Sequence, residues 1–177
     1  TSQMLDALTA YRDGGGSFLY LGGNGFYWKI ARHRDDPDLL ETRRAEDGLR
    51  AWASEPGEYY NAFDGSYGGL WRRNGRPPQQ LVGIGFTAQG TFVGMPYNRI
   101  CYDPKFDWVF DGVEDHVIGD FGFSGNGAAG FELDRIDPAL SAGLNFAEGT
   151  KITVLAQSYD KANDFMLVPE EQLTHLT

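Results

Sequence analysis

The chain has 177 residues, 41% of them hydrophobic and 14% aromatic, which is enough apolar material for a packed core and argues against disorder. A formal net charge of −10 argues against nucleic acid as a partner, because a phosphate-binding surface needs clustered Lys and Arg. The single cysteine, Cys101, permits no intramolecular disulfide and no Cys-rich metal site, and no apolar run reaches the ~18 residues of a membrane span, so a reduced cytoplasmic setting is expected.

The chain opens on polar Thr1-Ser2-Gln3 without an initiator Met, which reads as a fragment of something longer without a signal peptide. From Gln3 to Arg12, Met4, Leu5, Leu8 and Tyr11 share a face at helical spacing, and Gly14-Gly15-Gly16 is a stop. Ser17-Phe18-Leu19-Tyr20-Leu21 then reads as a short strand buried on both faces, as in a parallel sheet. Helix, glycine turn and buried strand make one α/β unit. A full sheet of that kind needs more strands, which places the remainder upstream of Thr1.

Beyond that unit, Phe26–Ile30 and Leu39–Arg43 read as strands joined by a turn at Asp35-Asp36-Pro37-Asp38. Leu81–Phe86, Trp108–Phe110, Gly130–Asp134 and Lys151–Ala156 are further strand candidates. Residues 57–78 and 87–107 show little periodicity, and connections of that length are functional or packed against something else. Composition marks no boundary, so residues 1–177 are expected to form a single α/β domain with added antiparallel strands and long Gly-rich loops.

Two segments carry candidate chemistry. In Leu21-Gly22-Gly23-Asn24-Gly25-Phe26 a strand runs into a glycine-flanked bend like a nucleophile elbow, with Asn24 where Ser or Cys would stand. An amide is no nucleophile, but Asn24 can bind a substrate carbonyl or a developing oxyanion; the alternative is that Asn and Gly simply suit a tight turn. In Gly127-Ala128-Ala129-Gly130-Phe131-Glu132-Leu133-Asp134-Arg135, small residues allow close backbone packing. On a strand Glu132 and Asp134 share one face, so Glu132 is either a general base of raised pKa or half of an ion pair with an arginine. Trp71-Arg72-Arg73-Asn74-Gly75-Arg76 reads as a structural loop rather than an anion site, and His33, His116 and His175 lack any metal-ligand spacing.

These same stretches resemble the large (beta) subunit of N,N-dimethylformamidase. The resemblance is carried by Phe18–Trp28, Gly68–Arg73, Gly75–Pro78, Leu81–Phe86 and Gly127–Arg135, over roughly residues 15–137. It implies a C-terminal fragment with a partial class I glutamine amidotransferase-like core. It also implies an amide hydrolase that splits N-substituted formamides into formate and an amine by metal-assisted water attack. Glu132 and Asn24 would then be the catalytic residues, meeting around one substrate, with Gly23, Gly25 and Phe26 binding that substrate. The family's iron would be held by ligands upstream of residue 1, leaving no metal or cofactor in this part. The expected partners are a small subunit and further large subunits. The isolated chain is expected to be inactive, and the alternative is a non-catalytic binding or assembly module.

Overall fold

The computed structural model describes residues 1–21, 23, 25–43, 59–89, 94–121, 127–130, 132–137, 140, 152–159 and 166–167. The chain divides into two compact units. One comprises Thr1–Phe86, Arg135–Thr150 and Val168–Thr177; the other comprises Thr87–Asp134 and Lys151–Leu167.

The first unit begins with helix α1, Ser2–Asp13. The Thr1 hydroxyl accepts the Met4 amide at 3.4 Å, and Gly14 and Gly15 donate back to the carbonyls of Ala10 and Arg12 at 2.9 and 3.0 Å. Gly15 takes a φ of +87°, which glycine adopts without a Cβ clash. Leu5 is buried with Trp71 and Leu81, and Leu8, Phe26 and Val82 pack on that cluster. Each fully buried side chain of this size is worth about 1.5–3 kcal/mol. Two arginines fasten α1 to the turns around this core. Arg12 Nη1 donates to the carbonyls of Gln80 and Leu81 at 2.6 and 2.9 Å. Arg76 donates to the Ser2 carbonyl at 3.2 Å and pairs with Asp6 at 2.8 Å.

Strands β1 (Ile30–Arg32) and β2 (Leu40–Thr42) pair antiparallel, with Ala31 opposite Glu41. In their turn, His33 Nδ1 accepts the amides of Asp35 and Asp36 at 3.3 and 3.0 Å. The Glu41 carboxylate accepts the amides of Ala62 and Phe63 at 3.0 and 2.9 Å and Arg43 Nε at 2.6 Å, so one side chain organises a non-periodic loop. The Trp71–Gly75 turn is held by Asn74, whose amide donates to the carbonyls of Gly68 and Leu70 at 3.1 and 2.9 Å. Two cations from outside the turn pack on its indole: Arg76 and Lys29 lie 5.9 and 5.6 Å from the Trp71 ring centroid.

Helix α2 (Gln79–Val82) and strand β3 (Gly85–Gln89) follow. A Cβ on Gly85 would meet the Gln79 carboxamide at 2.6 Å, so glycine is needed where the strand passes that buried side chain. Strand β3 lies between β6 (Glu132–Arg135) and β8 (Met166–Leu167), antiparallel to β8.

In the second unit, β4 (Tyr97–Arg99) pairs antiparallel with both β5 (Val117–Ile118) and β7 (Ala156–Ser158). A 3-10 helix spans Pro104–Phe110, and the Asp103 carboxylate accepts the Lys105 amide at its start. The Arg99 guanidinium sits 4.0 Å from the Phe110 ring centroid and pairs with Asp107 at 2.7 Å. Met95 and Ala129 exchange two backbone hydrogen bonds of 2.9 Å, as the small residues of 127–130 lead one to expect.

Several expected elements differ. Ser17–Leu21 is not a buried strand: the described residues form no ladder with it, and Leu19 and Leu21 stand 78% and 84% exposed. Leu81–Phe86 is split, because Pro77-Pro78 starts a helical turn and Gly83, at φ +84°, ends it before β3 begins. Trp108–Phe110 is helical because Asp103-Pro104 caps and starts a turn that runs through it. Of the Phe26–Ile30 candidate, only Ile30 enters a strand, and of the described residues 152–156 of the Lys151–Ala156 candidate only Ala156 does.

Candidate functional site

The glycine bend follows from one aromatic side chain folding back on the backbone. The Tyr20 hydroxyl donates to the Gly23 carbonyl and accepts the Gly25 amide at 2.9 Å. Gly25 also donates to the Gly23 carbonyl at 2.5 Å, closing the bend. A Cβ on Gly25 would stand 2.8 Å from the Tyr20 ring, which is why glycine occupies that position. Phe26 follows at φ +57°, a left-handed backbone conformation that strains a side chain of this size. Its ring lies 6.2 Å from Phe18 and 5.4 Å from Tyr20, so the strained residue is held by aromatic packing. Asn24 lies outside the described residues; Gly23 and Gly25 are exposed at the surface of the bend, and Phe26 is half-buried on the core cluster.

In the second unit, Glu132 begins β6 and Asp134 follows two residues later on the same strand face. Both residues are exposed overall. Even so, loss of water around the Asp134 carboxyl pushes its pKa above the ordinary aspartate value, and the like charge of Glu132 adds to that push. A carboxylate pair of this kind keeps a proton on one member to higher pH. The i, i+2 spacing of Glu132 and Asp134 is the sequence signal for this pair.

A third feature lies wholly within the first unit. A cavity of about 700 Å³ opens between the first turn of α1 and the β1–β2 hairpin, bordered by Lys29, Arg32, His33, Asp64 and Ser66. Lys29 is 8% exposed, and its ammonium donates to the Tyr67 carbonyl at 2.8 Å and Asn74 Oδ1 at 3.2 Å. Burial lowers its pKa, while nearby Asp64 raises it in part. The signal for it was a lysine inside the apolar run Tyr27-Trp28-Lys29-Ile30. Gly23, Gly25 and Phe26 are not among the residues bordering this cavity.

No three His, Cys, Asp or Glu side chains converge as a metal-binding group among the described residues. Among the described residues no helix is long and apolar enough to cross a membrane.

The family described as N,N-dimethylformamidase beta subunit-like, C-terminal, matches residues 1–176. The chain is 35% identical over 173 residues to an N,N-dimethylformamidase beta subunit from Paracoccus aminophilus, covering 94% of this chain and 21% of that protein. It shows the same identity and coverage against an N,N-dimethylformamidase beta subunit from an Alcaligenes species. It thus spans about one fifth of the length of the curated relatives it matches. A match over the whole chain, in the stretches that contain the glycine bend and the carboxylate strand, establishes that this chain belongs to the N,N-dimethylformamidase beta subunit-like family, as its C-terminal region.

Proposed function

We propose that this chain is part of an amide hydrolase that cleaves N-substituted formamides to formate and an amine. The observation that carries the reading is the family match over residues 1–176; the carboxylate pair on β6 supplies groups suited to the chemistry. Amide resonance makes the formyl carbon a poor electrophile, so hydrolysis needs an activated water and a leaving amine that receives a proton. Glu132 takes a proton from water as its oxygen bonds to the formyl carbon. Asp134, whose pKa is raised, is suited to hold the proton that goes to the amine nitrogen as the carbon–nitrogen bond breaks. The same reading places the chain in a cytoplasmic assembly with other subunits, over a core related to class I glutamine amidotransferases.

The test is formate release from dimethylformamide by the purified full-length gene product. Glu132→Gln is expected to lower kcat by about 100-fold or more, with circular dichroism unchanged. Undiminished turnover in Glu132→Gln overturns the catalytic assignment.

One observation favours a second reading, an assembly module without catalysis: Tyr102, Trp108 and Phe121 are exposed at 63%, 76% and 78%. That reading expects Trp108→Ala to weaken subunit association while Glu132→Gln changes nothing.

A further inference from the structure

We propose that the cavity between α1 and the β1–β2 hairpin binds a small organic molecule through its carboxylate or phosphate group, with Lys29, Arg32 and His33 as the donors.

The charge of this cavity runs against that of the chain. The protein carries a formal net charge of −10. The cavity nevertheless presents three permanent cations, Lys29, Arg32 and Arg34, against one carboxylate, Asp64. That carboxylate is engaged elsewhere: its Oδ1 accepts the Ser66 amide and hydroxyl at 2.9 and 2.5 Å. Arg34 contributes least, since its side chain is 89% exposed and paired with Asp35 at 3.2 Å.

Lys29 carries the most weight. Its two hydrogen-bond acceptors, the Tyr67 carbonyl and Asn74 Oδ1, are both neutral and use two of its three N–H donors. Among the described residues no carboxylate is in direct contact with this buried ammonium, and Asp64 acts on it only through its field. A buried cation without a counter-ion is costly, and an anion in the cavity supplies one.

The other donors are set by their own contacts. His33 Nδ1 accepts the amides of Asp35 and Asp36, so the ring proton resides on Nε2, which is then a donor. Arg32 Nη2 reaches the Pro37 carbonyl at 3.4 Å, a single long bond that leaves the rest of its guanidinium for an oxyanion. Thr1–Met4, the first turn of α1, also borders the cavity, and the helix dipole adds partial positive charge there. A volume of about 700 Å³ lies within the range of small-molecule pockets, which makes the ligand an organic anion rather than a lone halide.

Equilibrium dialysis of the full-length gene product at low salt, against labelled succinate or labelled inorganic phosphate, tests this. One equivalent per chain of at least one probe is expected to bind. Arg32→Ala is expected to weaken that binding by about 10-fold and Arg32→Glu by about 100-fold, the range for losing a charge-assisted contact. Arg32 is exposed at the end of β1, so these variants leave the core intact, whereas Lys29→Met alters a buried position. Tighter binding of succinate assigns a carboxylate ligand; tighter binding of phosphate assigns a phosphorylated one. Binding of neither probe overturns the inference, and so does binding that Arg32→Glu leaves undiminished.

Discussion

Gly94 and Gly127 approach so closely that a Cβ added to Gly94 would sit 2.3 Å from the Gly127 carbonyl oxygen. A Cβ on Gly127 would stand 2.0 Å from the Met95 carbonyl carbon. The opposing atoms are backbone, so no side chain can swing aside. Gly127→Ala is therefore expected to break the paired Met95–Ala129 hydrogen bonds and to cost about 3 kcal/mol, the upper end for overpacking. A fall in the urea midpoint checks this. Gly130→Ala is the control, since no atom lies within 4 Å of a Cβ there.

Glu41 is expected to govern the acid limb of the stability curve. Burial raises its pKa, but the amides of Ala62 and Phe63 and the Arg43 guanidinium outweigh that and bring the net value below the ordinary glutamate range. A carboxylate whose folded pKa is depressed stabilises the fold above its unfolded pKa and loses that contribution as pH falls through the folded one. Glu41→Ala leaves two amides and a guanidinium without their acceptor, at a cost of about 2–3 kcal/mol at neutral pH. The difference from wild type is expected to shrink in acid, as denaturation at pH 7 and pH 3 would show.

Asp134 runs with the opposite sign. Its folded pKa is raised, so the native state binds a proton more readily than the unfolded chain does, and stability falls as pH rises from the unfolded value through the folded one. Asp134→Asn is expected to be more stable than wild type at neutral pH and to lose that advantage in acid. Glu132→Gln removes the like charge and is expected to move the Asp134 titration downward, as carboxyl NMR shifts would report.

Trp71 anchors the first unit's core at 3% exposure and has two cations within 6 Å of its ring. Trp71→Ala is expected to cost about 3–5 kcal/mol. It is also expected to raise exchange in α1, which rests on it through Leu5.

What was legible in the sequence was whatever repeats locally. The spacing of Met4, Leu5, Leu8 and Tyr11 located α1, and Asp35–Asp38 located the hairpin turn. The small residues of 127–130 announced close backbone packing. What escaped was order imposed by single side chains. The loop around Asn61–Ser66 has no period because Glu41, from another element, collects its amides. Tyr20 was read as one of a run of core residues, and its hydroxyl proved to be the clasp of the bend. Phe18–Leu21 carries a strand's composition, but a ladder needs a neighbour, and composition does not say whose. The two candidate catalytic residues were singled out by local pattern, a glycine-flanked bend and an alternating strand, and the family resemblance then implied their roles.

The chain passes from one compact unit to the other four times, at 86/87, 134/135, 150/151 and 167/168. Neither unit can therefore be obtained by trimming an end. A protease nick between Phe86 and Thr87 would leave the N-terminal fragment with only part of the first unit and the C-terminal fragment holding pieces of both. Dissecting them genetically requires excising the second unit's two segments and splicing the first unit's three.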